Sequence, residues 1–212
     1  LVYYFYLLYL VSLMSTLKYC LDAHPELDSK ILYWPEFSTK NYSASLFNTL
    51  LNETKWQQEK INFWGKETLV PRLTAWYSKE NKSYSYSGVV NNPTPYTKKL
   101  SDLQQRVEDY TNQKFNSVLL NLYRSGNDAM GWHADDETSL DRNASIASLS
   151  FGGTRDFQIK PKDKSSKLIN IKLTNGSLLL MKSPFQEDWL HRIPRRKNSH
   201  EARINLTFRK LL

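Results

Sequence analysis

The segment Arg203-Ile204-Asn205-Leu206-Thr207-Phe208-Arg209 constrains this chain more than any other. Its apolar residues Ile204, Leu206 and Phe208 recur at the two-residue period of a β-strand and so share one face of a sheet. Arg203, Asn205, Thr207 and Arg209 share the other face. A strand of this kind either wets its polar side or turns it onto a ligand. Its neighbours belong to the same class of structure. After Lys114 the chain reads as short strands parted by turns, at 117–123, 146–151, 155–160, 168–172, 177–182 and 202–211, with Gly152-Gly153 and Asn175-Gly176 read as hairpin turns. Before it, apolar residues recur at helical spacing in 43–51 (Leu46, Phe47, Leu50, Leu51) and 97–110 (Leu100, Leu103, Val107, Tyr110). The expectation is an α+β architecture with helices packed outside a barrel or sandwich of antiparallel strands and the chemistry at its mouth.

Two upstream features favour a ligand over water as the partner of that polar face. His133-Ala134-Asp135 stands in a Trp- and Asp-rich stretch, expected as a loop or turn beyond a strand, and His191 stands twelve residues before Arg203 in a short strand or turn. Two imidazoles and one carboxylate form the ligand set that holds non-haem Fe(II) with open positions. A fixed guanidinium nearby would grip a carboxylate bidentately. A His-x-Asp triplet alone is weak evidence, but the run Asp135-Asp136-Glu137 repels itself unless a cation or basic partner neutralises part of it. His24 and His200 have no such neighbours.

Composition limits the partners. With 212 residues, 40% of them hydrophobic, the chain can bury one sizeable core. A formal charge of +8 favours a polyanion such as nucleic acid. The 13 Tyr and 6 Trp add surfaces on which bases can stack. Cys20 is the only cysteine, which excludes an internal disulfide, argues against a cysteine zinc site and suits a reducing compartment, nuclear or cytoplasmic. No Gly-rich phosphate loop and no nucleophilic Ser or Cys arrangement is present.

The first sixty residues are read as an N-terminal extension and helices packing on the core. Residues 1–14 are almost uncharged, lack the basic flank of a secretory signal and are too short to span a bilayer, so they read as a buried or interfacial segment. Met14 is an alternative start. Residues 61–96 mix aromatics with small or basic residues, notably Trp64, Lys66, Tyr84 and Tyr86, and end in the turn-rich 87–95. That mixture suits either a flat ring held beside a phosphate or ordinary aromatic cross-strand pairs.

From about Ile61 onward the chain resembles the AlkB family of Fe(II)- and 2-oxoglutarate-dependent dioxygenases, most closely its DNA-repair branch. The matching residues are Pro71-Arg72, Tyr84-Ser85-Tyr86-Ser87-Gly88, Asn121-Leu122-Tyr123, His133-Ala134-Asp135-Asp136-Glu137, His191 and Arg203 through Arg209. The resemblance implies a double-stranded β-helix, or jelly roll, with flanking helices and a nucleotide-recognition lid at about 61–96. The dioxygenase domain would be 61–212, within one globular, monomeric unit. It implies iron on His133, Asp135 and His191. The cosubstrate 2-oxoglutarate would pair its far carboxylate with Arg203, with Arg209 and Thr207 near the other end and Asn121, Tyr123 and Asn205 beside it. Asp136 would face the damaged base, and Trp64, Lys66, Tyr84 and Tyr86 would line the lid. The implied reaction is oxidative demethylation of bases such as 1-methyladenine and 3-methylcytosine in DNA, with RNA as the second candidate, consuming O2 and releasing formaldehyde, succinate and carbon dioxide. Alternatives are an oxygenase of the same architecture acting on a protein or small molecule, and a non-catalytic nucleic-acid-binding module.

Overall fold

The computed structural model describes residues 27, 29–63, 66–79, 84–86, 89–91, 93–163 and 168–212. The N-terminal aromatic run, Cys20, His24 and Trp64 lie outside them. In chain order the strands are β1 (Ile31–Trp34), β2 (Lys60–Phe63), β3 (Lys66–Leu69), β4 (Leu73–Ser78), β5 (Tyr84–Tyr86), β6 (Val89–Asn91), β7 (Ser117–Tyr123), β8 (Met130–His133), β9 (Ile146–Gly152), β10 (Arg155–Pro161), β11 (Ile169–Leu173), β12 (Leu178–Met181), β13 (Trp189–Ile193) and β14 (Arg203–Arg209). The helices are α1 (Lys40–Glu53), α2 (Lys98–Thr111) and the single turn α3 (Phe185–Asp188).

Strands of the C-terminal half, joined by β1 and β4, build two antiparallel sheets, a major one in the order β1-β12-β9-β14-β7-β4 and a minor one in the order β11-β10-β13-β8. The major sheet has two different faces. Ile204, Leu206 and Phe208 of β14, each fully buried, join Val118, Leu120 and Leu122 of β7 and Leu149 and Phe151 of β9 in one apolar layer. Leu46 and Leu50 of α1 and Leu100, Leu103 and Val107 of α2 seal it from outside. Each such side chain contributes roughly 1.5–3 kcal/mol of burial. The α2 pattern positions that stripe, and Thr97 starts the helix by accepting the Leu100 N–H through its Oγ1 at 3.2 Å. Tyr110, expected in the stripe, is 40% exposed; it meets Trp34 and Phe37 edge-on instead.

The other face of the major sheet looks at the minor sheet across a second apolar cluster that includes Phe157, Ile159, Ile171, Met181, Phe185 and Ile193. The two glycine turns differ from expectation. Neither Gly152-Gly153 nor Asn175-Gly176 closes a hairpin, because β9 and β12 belong to the major sheet while β10 and β11 belong to the minor one. Each turn instead carries the chain across the gap between sheets. Gly176, at φ 81°, is required there, since a Cβ would stand 2.6 Å from the Ser38 carbonyl oxygen. The strand pair β10 and β11 is a true hairpin, paired from Arg155↔Leu173 to Ile159↔Ile169. Segments 60–69 and 84–91 form two small antiparallel pairs, β2 with β3 and β5 with β6.

Candidate metal and 2-oxoglutarate site

His133 is not in a loop but ends β8, and His191 sits at the centre of β13. The two strands are neighbours and the two histidines are register partners, so pairing alone places imidazoles 58 residues apart in sequence with ring centroids 4.1 Å apart. The chain turns just beyond β8 and brings Asp135 under both rings. Its Oδ1 lies 3.9 Å from His133 Nε2 and its Oδ2 lies 4.0 Å from His191 Nε2. One donor atom from each of the three residues falls within a 4.8 Å sphere of separations. Two imidazole nitrogens and one carboxylate oxygen suit a non-haem iron, with positions left open.

The protonation states agree with that use. His133 Nδ1 is 2.9 Å from the Gly131 carbonyl oxygen, which only accepts, so Nδ1 carries the proton and Nε2 keeps its lone pair. Burial lowers the pKa of both histidines, that of His191 to about 3 with His133 adding to the effect. For Asp135 burial pushes upward, but Arg209, His191 and His133 outweigh it and hold the carboxyl below its ordinary range. Arg209 donates from Nη2 to Asp135 Oδ1 at 2.6 Å with both side chains almost inaccessible. At neutral pH the three groups are therefore two neutral imidazoles and a carboxylate, the deprotonated set that a metal needs.

The polar face of β14 forms the floor of the same chamber, bounded by Asn121, Tyr123, Arg203, Asn205 and Thr207 on one sheet and by the histidines, Phe157 and Leu173 on the other side. Arg203 is opposite Tyr123 and Asn205 opposite Asn121 in the β14–β7 register. Arg203 is 1% exposed. It donates from Nη2 to Ser150 Oγ at 2.9 Å, whereas its Nε and Nη1 have no hydrogen-bond partner among the described residues, and no carboxylate pairs with it among them. Burial pulls its pKa down to about 10, with Tyr123 pulling the other way, so it stays a cation at neutral pH. A buried guanidinium with unused donors is costly without an anion. The chemistry of the cavity thus fits a carboxylate-bearing cosubstrate.

Other expected residues fall around this chamber in different ways. Asn205 donates to Ser148 Oγ and the Leu149 carbonyl, and Thr207 donates to Asn205 Oδ1. Asn121 Oδ1 is held by Arg72 Nε at 2.8 Å. Asp136 lies at the mouth, where Lys162 Nζ approaches its Oδ2 to 3.3 Å, beside a second cavity that shares Asp135, Met181 and Arg209 with the chamber. Lys66, Tyr84 and Tyr86 stand on the small strands β3 and β5, and their side chains, like Trp64, lie outside the described residues. Sequence reading assigned no role to Arg72 or Gln186. Gln186 Oε1 accepts the Asp135 backbone N–H at 3.0 Å, and its carbonyl accepts from Lys162 at 2.9 Å. It comes from α3, and no period or motif in the sequence announces that contact. Arg72 was visible only as half of the pair Pro71-Arg72.

A jelly roll that gathers two histidines and an aspartate over a buried arginine is the class of the iron- and 2-oxoglutarate-dependent oxygenases. Comparison with known proteins agrees: residues 30–209 match the 2OG-Fe(II) oxygenase superfamily. The chain is 37% identical over 205 residues to alpha-ketoglutarate-dependent dioxygenase alkB homolog 3 of Homo sapiens, covering 90% of this chain and 69% of that protein. It is 40% identical over 160 residues to DNA oxidative demethylase ALKBH2 of Mus musculus, covering 72% of this chain and 67% of the other. The solved structure of OsALKBH1 shares the fold at a TM-score of 0.61 and 15% identity, over 85% of this chain and 96% of that one. This chain belongs to the AlkB family of 2OG-Fe(II) oxygenases and is an Fe(II)- and 2-oxoglutarate-dependent dioxygenase. No helix among the described residues is long and apolar enough to cross a membrane.

Proposed function

We propose that this dioxygenase removes alkyl groups from the ring nitrogens of nucleic-acid bases, 1-methyladenine and 3-methylcytosine being the reference lesions and DNA the first substrate, RNA the second. The observation that carries the reading is the buried, donor-rich Arg203 in one chamber with the His133, Asp135 and His191 cluster. Relatives named as a DNA oxidative demethylase and an alkB homolog supply the substrate class.

His133 Nε2, His191 Nε2 and an Asp135 oxygen would hold the iron, and Arg203 would clasp the far carboxylate of 2-oxoglutarate. Bound there, iron and keto acid supply O2-dependent hydroxylation of a C–H bond, with the keto acid leaving as succinate and carbon dioxide. The Gly131 carbonyl fixes the His133 tautomer, while Arg209 and the Gln186 side chain fix the Asp135 carboxylate and backbone. Second contacts of this kind are typically worth ten- to a hundredfold in metal affinity or activity. Apolar walls from Phe157, Leu173 and Met181 exclude water. Asp136 would favour a ring made cationic by methylation over a neutral base, and Lys162, its present neighbour, would be exchanged for that ring. Asn121, Tyr123, Asn205 and Thr207 would hydrogen-bond the cosubstrate directly or orient the groups that do. Trp64, Lys66, Tyr84 and Tyr86 would form the lid over a flipped base, whose unstacking costs a few kcal/mol and less when its pairing edge is blocked. The hydroxylated N-methyl group loses formaldehyde and leaves the restored base.

The same reading takes the chain as one globular, monomeric unit with the dioxygenase domain at 61–212, working in the nucleus or cytoplasm. The test is formaldehyde release from matched DNA and RNA oligonucleotides carrying either lesion. Release that requires Fe(II) and 2-oxoglutarate is the expected result; turnover of the keto acid with no formaldehyde from any methylated oligonucleotide would reject the assignment.

A further inference from the structure

Alternation along the minor sheet puts two functions back to back. His133 and His191 face the chamber, so their neighbours Trp132 and Arg192 face the opposite way. On that outer face Lys160 Nζ lies 4.6 Å, and Arg192 Cζ 4.5 Å, from the Trp132 ring centroid. Arg192 also donates from Nε to Gln158 Oε1 at 2.8 Å. Neither Lys160 nor Arg192 has a carboxylate partner among the described residues. Lys172, exposed on β11, lies opposite Asp156 in register, and that acid is shared between Lys172 and Arg196, whose Nε is 2.6 Å away. Just beyond the end of β10, Lys162 stands at the mouth beside Asp136.

Two cations laid on one indole can merely cover apolar surface with their stems. A face serving only that end gains from acids that offset its charge, and among the described residues no carboxylate pairs with the two cations on the indole. Two outward cations on an aromatic ring, in a row that leads to Lys162 at the mouth of the proposed base pocket, match the composition of single-strand tracks, where charge follows phosphates and rings receive bases. Resting on the demethylase reading, we infer that the outer face of the minor sheet around Trp132, Lys160 and Arg192 is a second contact surface for the nucleic-acid strand flanking the flipped base. It deepens that reading by assigning a preference for substrate length, not a new chemistry.

The test compares wild type with the double variant K160Q/R192Q and with Trp132→Phe, which keeps a ring. Fluorescence anisotropy with unmodified 5-nucleotide and 25-nucleotide strands at several salt concentrations needs no catalysis, and formaldehyde release from methylated strands of the same lengths is measured beside it. In K160Q/R192Q, binding to the 25-mer falls about tenfold and its log–log salt slope shrinks by about 1.4, two phosphate contacts at roughly 0.7 each. The 5-mer is bound and turned over within twofold of wild type, and Trp132→Phe lies between wild type and the double variant on the 25-mer. Equal losses on both lengths, no loss on either, or competition by polyglutamate as strong as that by an oligonucleotide of equal charge would overturn the inference. Absence of formaldehyde from wild type with the length effect intact would reject the demethylase reading alone.

Discussion

The two faces of β14 are equally buried and chemically opposite. Ile204, Leu206 and Phe208 on one face and Arg203 and Arg209 on the other are all 2% exposed or less. On the helix side these three residues of β14 belong to an apolar cluster shared with α1 and α2. On the chamber side the charges are only partly matched, since Arg209 is spent on Asp135 while Arg203 keeps unused donors. Elsewhere buried charge is matched more fully. Arg155, equally inaccessible, donates through both Nη atoms to the carbonyls of Ser125, Asp128 and Pro194 and leaves only Nε unused, where Arg203 has one acceptor and leaves both Nε and Nη1; Glu108 accepts from Gln104, Lys114 and the Phe115 backbone. Burial therefore does not distinguish scaffold from site here. The distinction lies in whether the protein itself satisfies the groups it buries.

The comparison breaks most visibly if the chamber face proves structural. Asp135→Asn is expected to reduce formaldehyde release by at least ~10²-fold, and the fold should survive because the amide can still accept from Arg209; circular dichroism checks the second point. Arg203→Met sharpens the contrast. Truncating one partner of a buried charge pair costs about 2–5 kcal/mol of affinity, so 2-oxoglutarate binding, followed by calorimetry, should weaken by at least ~30-fold. Without the keto acid the same variant should be as stable as wild type or more so, because a desolvated, half-used guanidinium is replaced by an isostere of similar volume. Adding 2-oxoglutarate should raise the melting temperature of wild type and leave Arg203→Met unmoved. A variant that melts lower and still binds the keto acid would make Arg203 a scaffold residue.

How much of this was legible beforehand depended on the range of the interaction. The helices 43–51 and 97–110 and most strands after 117 follow from local periodicity and appear within two or three residues of expectation. The strand β1 was not read as a strand, β8 only as an unbounded strand before the expected turn at His133, and β13 only as a short strand or turn, because each is four or five residues long and is held by partners far away in sequence. For the same reason Gly152 and Gly176 looked like hairpin turns: a sequence shows that the backbone must bend but not which sheet the next strand joins. The metal cluster was legible through its residue types. Its support by Gln186 and Gly131 was not, nor was the hold of Arg72 on Asn121, because those groups act through single hydrogen bonds that leave no pattern.

On the scaffold face the expected effects are smaller and fall on stability. Leu206→Ala should cost about 2–5 kcal/mol in chemical denaturation, as for other fully buried leucines, with turnover per folded molecule unchanged. Glu108 gives a pH signature. Burial pushes its carboxyl up, but Lys114, the Phe115 N–H and Gln104 prevail and lower its pKa. A folded-state pKa below the unfolded one gives stability that is complete above the unfolded value and is lost as pH falls through the folded one. Wild type should therefore lose an increment of stability on acidification below about pH 4.5 that Glu108→Gln lacks. At pH 7 that variant should be less stable by about 1–3 kcal/mol, the usual cost of weakening buried hydrogen bonds to a charged group; most of it should survive in 0.5 M salt, because Lys114 is largely solvent-exposed and contributes little to it.

Thr97→Ala gives the smallest expected change, about 1 kcal/mol. Its hydroxyl satisfies only the Leu100 N–H at the start of α2, and the helix remains docked through Leu100, Leu103 and Val107. The loss should appear in hydrogen exchange of the first turn of α2 and in a slightly lower denaturation midpoint, with the affinity for 2-oxoglutarate unchanged. A measurable change in that affinity would mean that α2, although it packs on the opposite face of the major sheet, sets the position of β7 and with it Asn121 and Tyr123. The two faces of β14 would then be mechanically coupled rather than independent.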